Sequence, residues 1–279
     1  MWLGKLVAAV AALAGLGAMS QCARAANHGF PVDWDRSHAG EPLDLEGYRM
    51  VFHDEFDHLR VSREGGPGPW YAPIHTALGM GDLATPPDPA YAVADGELRL
   101  TTRIEGGRWR EANLQTQDAA GAGFAQQNGY FEARIALPLE PGAHAGFWLL
   151  SRHDRDRGHA EFDIVESYGA KGRWGHHTTS HIWPGRLSGR GPIFTSNITP
   201  TPSLLSGFHT FGALAEPDRF VVYYDRKEVA RIARQPEQQA PLYMLISLFE
   251  NRGDPPQEPA SMRVDWVRAY ARPPAPAQP

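Results

Sequence analysis

Apolar and polar residues alternate along short segments of this chain, again and again, between residues 48 and 270. The run Tyr130-Phe131-Glu132-Ala133-Arg134-Ile135-Ala136-Leu137 shows the pattern most clearly. Successive side chains of a strand point to opposite faces, so a period of two predicts a half-buried β-strand. The pattern predicts strands over 48–52, 97–104, 129–137, 145–150, 161–168, 177–183, 209–215, 220–224, 228–232, 242–248 and 262–270. Asp225-Arg226-Lys227 reads as a hairpin turn. No segment beyond the extreme N-terminus sustains a helical period. Residues 57–95 and 184–207 carry no clear pattern and are expected to be long loops, which in a compact domain are usually functional or mobile. Many strands with regular turn signals predict an all-β fold, a two-sheet antiparallel β-sandwich of the jelly-roll kind.

One predicted strand carries too many acids. In residues 160–169, Phe162, Ile164 and Val165 are apolar and β-forming. Glu161 and Asp163 are two apart and share a face. Glu166 would point the other way in a regular strand. One extra residue, a β-bulge at Ile164-Val165, would return it to the acidic face, with Phe162 and Ile164 in a core. The Cα atoms of Glu161 and Glu166 would then lie roughly 13 Å apart, and inward-leaning carboxyls can approach to about 5 Å, the spacing of a retaining glycosidase. Like charges this close raise at least one pKa, which a general acid needs. The pattern alone also fits a solvated sheet face or a three-acid calcium site. Acids on one sheet face need that face open, so a concave sheet forming a cleft is expected.

Composition narrows the field. The 29 Gly and 24 Pro, with 10% aromatic residues, favour strands and turns over helices. A net charge of −5 without a long basic run argues against nucleic acid as a partner. Cys22 is the only cysteine, which leaves no thiol for a nucleophile, a zinc site or a disulfide in the chain beyond it. Lys5, the apolar run from Leu6 to Met19 and Ala23-Arg24-Ala25 together predict a signal peptide over 1–25, cleaved near Ala25. The run is short for a membrane span, so no stable insertion is expected. Gln21 fits poorly as the residue before a lipoprotein cysteine. The product is expected to be secreted or periplasmic, and a monomer. Residues 26–47 read as an extended lead-in, 48–271 as one β domain, and 272–279 as a disordered proline-rich tail.

The ordered segments resemble glycoside hydrolase family 16. Glu161-x-Asp163-x-x-Glu166 resembles its catalytic signature in the bulged form of laminarinase-like and agarase-like members. Val51-Phe52-His53-Asp54-Glu55-Phe56-Asp57 resembles its opening strand. Residues 128–138 and Gly146-Phe147-Trp148-Leu149-Leu150 are similar to stretches that precede the catalytic strand. His177-Thr178-Thr179-Ser180-His181-Ile182-Trp183 is similar to the strand that follows it. Phe208-His209-Thr210-Phe211 and Val264 to Tyr270 resemble its closing segments. The resemblance implies a retaining endo-glycosidase that hydrolyses internal β-linkages of a polysaccharide, foremost a β-1,3- or β-1,3-1,4-glucan, by double displacement without a cofactor. It implies Glu161 as nucleophile, Asp163 as its assistant and Glu166 as general acid, then base. Two departures keep another β-linked polymer, a galactan or a bacterial exopolysaccharide, and transglycosylation open. Ala213-Leu214-Ala215-Glu216 lacks a tryptophan common in the family, and Ser247-Leu248-Phe249 stands where Asn-Leu is usual. From another class, a non-catalytic lectin-like protein fits the same sandwich.

Sugar rings stack on aromatic faces. Trp148 and Trp183 flank the acidic strand and are candidate platforms, the sandwich core being the alternative for each. His181 falls where the family places a histidine near the nucleophile, and His177 shares its face; both join the candidate substrate-binding set. His176 would face the other side. Trp70 and Tyr71 would either wall the cleft or pin their loop to the body. Glu55 and Asp265 are ordinary surface acids or, as in some relatives, part of a structural calcium site. Residues 153–158 read as a solvated turn. Asn197-Ile198-Thr199 fits a glycosylation triplet.

Overall fold

The structure, a computed structural model, describes residues 33–62, 65–72, 82–171, 175–251 and 255–273. The expected signal peptide and nearly all of the proline-rich tail lie outside the described residues. In chain order the strands are β1 (Arg49–Asp54), β2 (Val61–Ser62), β3 (Trp70–Tyr71), β4 (Asp82–Leu83), β5 (Tyr91–Ala94), β6 (Glu97–Thr101), β7 (Arg103–Glu105), β8 (Arg108–Gln115) and β9 (Gly129–Ala136). Then follow β10 (Ala143–Ser151), β11 (Gly158–Ser167), β12 (His176–Pro184), β13 (Ile193–Thr199), β14 (Phe208–Ala215), β15 (Arg219–Tyr224), β16 (Lys227–Ala233), β17 (Leu242–Glu250) and β18 (Ser261–Ala271). Among the described residues, no helix is long and apolar enough to cross a membrane.

Two sheets form. The back sheet runs β16-β15-β14-β9-β18-β6-β5, with β1 also on β18. The front sheet runs β13-β12-β11-β10-β17-β8-β3-β2, with β4 and β7 on β8. Pairing is antiparallel except for the short β2–β3 and β4–β8 contacts. The alternation read in the sequence is the cause of the layering. Phe131, Ala133 and Ile135 of β9 face Phe147 and Leu149 of β10 and Met244, Ile246 and Leu248 of β17 in one shared core. Phe162 of β11 stacks on Phe220 of β15 at 4.1 Å, which joins the sheets directly. Burying each such side chain contributes about 1.5–3 kcal/mol.

Several expectations are corrected. The stretch 57–95 contains β2 to β5, and 184–207 contains β13. Strand β8 lies where no strand was expected. The expected strand 97–104 breaks at Thr102, whose hydroxyl accepts the Ala260 N–H at 2.9 Å. Trp70 is fully buried among Phe52 and Phe56, and its indole N–H donates to Asp54 at 3.0 Å. It pins its segment to the body and walls nothing; Tyr71 is likewise buried. Asn197 is buried, and its amide is bonded to Thr199 and Arg36, so the triplet offers no free acceptor. Glu55 pairs with Arg268 and Asp265 with Arg134. The hairpin turn is as expected: Asp225 and Arg226 both hold positive φ, 48° and 58°, as a tight two-residue hairpin requires. The described part of the lead-in lies along β16, with Asp35 bridged to Arg231 and Pro42 to Lys227.

Candidate active site

The outward face of the front sheet is assembled here from alternate residues of four neighbouring strands, β10, β11, β12 and β17. The core takes Ala143, Ala145, Phe147 and Leu149 of β10, so His144, Gly146 and Trp148 face outward. By the same count β17 presents Ser247 and Phe249. In β11 the count fails once. Trp148 pairs with Asp163 and Phe147 with Val165, and on the other side Asp163 pairs with Thr179 but Glu166 with His177. One residue is extra, at the position expected from the sequence. Ile164 and Val165 are both buried in the core, and Glu161, Asp163 and Glu166 all line one open pocket of about 200 Å³.

The bulge is held from beneath. The Ile164 carbonyl accepts from His176 Nε2 at 2.5 Å and from the Thr178 hydroxyl at 3.3 Å. A bulge leaves polar backbone out of the ladder, and in a core each such group must find a partner. Burial pushes the His176 imidazole down to about 4, so it is a neutral donor here. Gly146 keeps the pocket floor low: a Cβ there would meet Ser247 Oγ at 3.3 Å and Trp148 Cδ1 at 3.4 Å.

The three carboxyls have different partners. Glu161 Oε2 accepts the Trp183 indole N–H at 2.9 Å. His181 Nε2 lies 3.0 Å from Asp163 Oδ2 and 3.6 Å from Glu161 Oε1. Glu166 Oε1 lies 2.9 Å from His144 Nε2 and accepts the Tyr168 hydroxyl at 3.0 Å; its Oε2 accepts from Thr179 at 3.1 Å. His144 stacks on Tyr168 at 4.7 Å, which fixes the imidazole. Among the described residues, Glu161, Asp163 and His181 are the group dense enough to hold a metal ion, their ligand atoms lying within 4.8 Å of one another.

These partners separate the acids electrostatically. Burial, and then the charge of Asp163, raise Glu161 to about 8. Burial and the charge of Glu166 push Asp163 well above the usual carboxylate range. Glu161 and Asp163 both lie beside His181 Nε2, and two carboxyls this close and this buried do not both ionise, so one keeps a proton. Asp163 is the deeper of the two and keeps it. Once it does, its charge no longer opposes ionisation of Glu161. Glu166 moves the other way, to about 2: burial pushes it up, but the hydrogen bond and charge of His144, with His181 and Tyr168, outweigh burial.

A sequence profile of the glycosyl hydrolases family 16 matches residues 94–268, which include every strand that carries this pocket. The chain belongs to that family. Two curated proteins of Rhizobium meliloti (strain 1021) are similar to it. Endo-1,3-1,4-beta-glycanase EglC is 29% identical over 270 residues, covering 85% of this chain and 55% of that protein. Endo-1,3-1,4-beta-glycanase ExsH is 27% identical over 259 residues, covering 82% and 53%. The chain thus spans about half the length of these relatives. Among solved structures, SCLam, a non-specific endo-β-1,3(4)-glucanase of family 16, shares the fold with a TM-score of 0.62 at 18% identity, covering 86% of this chain and 98% of that one. A mutant of SCLam holds 1,3-β-D-cellobiosyl-glucose at its active site.

Against this family-16 frame, the candidate residues separate. Trp148 lines the pocket but is 5% exposed, packed with Leu150, Tyr243 and Leu245, and its N–H donates to Ser247 at 3.0 Å. Its ring is largely covered, so it shapes the floor and offers little open face for stacking. The Trp183 ring lies parallel to His181 (5.4 Å, 8°) and to His159 (6.1 Å, 18°), and its polar edge addresses Glu161. It is a hydrogen-bond donor to Glu161. His181 lies beside Glu161, but its hydrogen bond is to Asp163. His177 is not among the pocket-lining residues and meets the Tyr168 ring edge-on at 5.4 Å. Sequence reading missed His144, Tyr168 and Thr179, the three groups that hold Glu166. The signal for Thr179 was its place two residues from His181, on the same face of the same strand.

Proposed function

We propose that this chain is a retaining endo-glycosidase that cuts internal β-linkages of a polysaccharide. The observation that carries the reading is the bulge at Ile164-Val165, which sets three acids with unlike proton partners on one wall of an open cleft. Glu161 attacks the anomeric carbon, with the Trp183 N–H and His181 holding its carboxylate in line. Asp163, keeping its proton, hydrogen-bonds Glu161 and steadies the attacking oxygen. Glu166, hydrogen-bonded to His144, is the general acid: its carboxyl proton passes to the glycosidic oxygen as the leaving sugar departs. The same carboxylate then takes a proton from the water that hydrolyses the glycosyl-enzyme.

The backbone we assign is a β-1,3- or mixed β-1,3-1,4-glucan, in keeping with the names of EglC, ExsH and SCLam. The signal-like N-terminus makes the reading one of an exported enzyme. The test is product release from laminarin, lichenan and a β-galactan by the chain and by Glu161→Gln, with the anomer of the first product read by NMR. Short oligosaccharides of retained β configuration, absent with the variant, are expected. An inverted first product would remove Glu161 as nucleophile. Binding without cleavage of every polymer would make the protein a lectin.

A further inference from the structure

A second cavity opens beside the catalytic pocket and shares Trp183 with it as a common wall. At about 640 Å³ it is the roomier of the two. Its ionisable lining is Arg152, His153, Asp154, Arg157, His159 and Glu237. The Trp183 indole holds Glu161 at one edge and lies parallel to His159. A polymer that leaves the catalytic pocket past Glu161 and Trp183 therefore runs into this cavity.

Its two acids are engaged more fully than its two arginines. Among the described residues Arg152 makes no ion pair, and Arg157 lies near Asp154, on which its charge acts. The acids have further partners. Asp156 pairs with Arg186, and Glu237 with Arg190 at 3.0 Å. Asp154 accepts the backbone N–H groups of Asp156 and Arg157 at 2.8 and 2.9 Å. A buried nitrogen, His159 Nε2, also has no partner, while its Nδ1 meets His153 Nδ1 at 3.0 Å.

The segment that carries these groups is fixed in place. Asp154 and Gly158 exchange backbone hydrogen bonds of 3.2 and 2.6 Å. The Arg186 N–H donates to the Arg155 carbonyl at 3.1 Å, and the Leu187 N–H to Asp156 at 3.3 Å. Gly158 has φ 94°, and a Cβ there would sit 2.1 Å from the Trp183 carbonyl, so only glycine permits this approach. The Arg152 guanidinium lies over Gly121, where a Cβ would come within 3.2 Å of its Nη1.

The geometry points to a subsite for a sugar that bears a carboxylate, whether a uronic acid or an acid attached through a ketal or ester, in the same β-linked polymer whose neighbouring units fill the catalytic pocket. A guanidinium binds a carboxylate through two parallel N–H donors, and the guanidinia of Arg152 and Arg157 flank this cavity. The exposed His153 imidazole is suited to a sugar hydroxyl. The inference rests on the glycanase reading and narrows its substrate.

The test compares laminarin lightly carboxymethylated with laminarin hydroxyethylated to the same degree, which matches bulk without charge. The readout is the ratio of kcat/KM for the two polymers, for the whole chain and for Arg152→Gln/Arg157→Gln, at low and high salt. Exposed ion pairs are individually weak, so the chain is expected to prefer the carboxylated polymer by about three- to tenfold at low salt. That ratio is expected to fall towards one in the double variant and at high salt. A ratio that is the same in both proteins would overturn the subsite. Should neither polymer be cut, the glycanase reading fails by itself, and affinity electrophoresis in the two polymers decides the subsite. Retardation of the chain by the carboxylated polymer, lost in the variant, would support it; equal or absent retardation would sink it.

Discussion

The back sheet and the cleft of the front sheet treat carboxylates in opposite ways. On the back sheet and its margin, Glu132 accepts two hydrogen bonds from Arg226 (3.1 and 2.7 Å), Glu55 two from Arg268 (3.0 and 2.9 Å), and Asp265 and Glu97 meet Arg134 and Arg263. On the front sheet, Glu161, Asp163 and Glu166 lie deeper than Glu55, Asp265 and Glu97, yet among the described residues none has an arginine or lysine partner. They have imidazoles, hydroxyls and an indole instead. A guanidinium keeps its proton at any working pH and holds a carboxylate permanently charged. Imidazoles and hydroxyls can give and take, so the cleft acids stay able to exchange protons. The back sheet uses charge to hold the fold; the front sheet holds charge where it can move.

The contrast can be broken from either side. The largest effect is expected from Glu166→Gln, which removes the proton carrier: kcat should fall by about 10³-fold or more with the circular dichroism spectrum unchanged. On the back sheet, Arg226→Gln leaves the buried Glu132 without its cation. That should cost about 2 kcal/mol and lower the melting temperature by roughly 4–8 °C, with kcat unaltered.

A pH comparison sharpens the same point. Burial raises both acids of the Glu161–Asp163 pair, Glu161 to about 8 from an ordinary 4.5. The native pair therefore keeps a proton that the unfolded chain has released, so stability is lost as pH rises through this window. Glu161→Gln/Asp163→Asn has no such proton. Its melting temperature should therefore gain on the wild type from pH 5 to pH 9, by roughly 4–8 °C for a differential of about 2 kcal/mol. A constant gap would show that the pair is fully ionised throughout. The smallest effect is expected at His144. His144→Gln removes the main influence that holds Glu166 low, so the step in the pH–activity profile that reports Glu166 should move to higher pH, and kcat should fall by about tenfold with KM little changed.

What could be read from the sequence was whatever side-chain alternation alone decides. Strands β9, β10, β14, β17 and β18 carry clean apolar faces, and the acid spacing in β11 was enough to locate the bulge. Strand β8 was invisible because Glu111, Asn113 and Gln115 are polar yet buried, leaving only Ala112 and Leu114 to mark its core face. Strand β13 hid behind Thr195, Ser196 and Asn197, polar residues suited to a sheet edge. Within the site, the acids are close in sequence and were found together. Their partners come from other strands: His144 meets Glu166 only because β10 and β11 are in register through Gly146. The Trp183 ring takes its direction from parallel imidazoles on two strands, which no residue count along one strand reveals.

The bulge makes the site a matter of parity. Deleting either Ile164 or Val165 would leave every residue type of the signature in the chain and restore an unbroken ladder with β10 and β12. The odd count from Glu161 to Glu166 would become even, with Glu166 already sharing a face with Glu161 and the regular strand needing no correction. What would be lost is the slack: His176 and Thr178 would have no turned-in carbonyl to hold, and Glu166 would sit one residue nearer Asp163. The chain therefore has two self-consistent ways to space its acids, and the buried imidazole beneath the sheet belongs to only one of them.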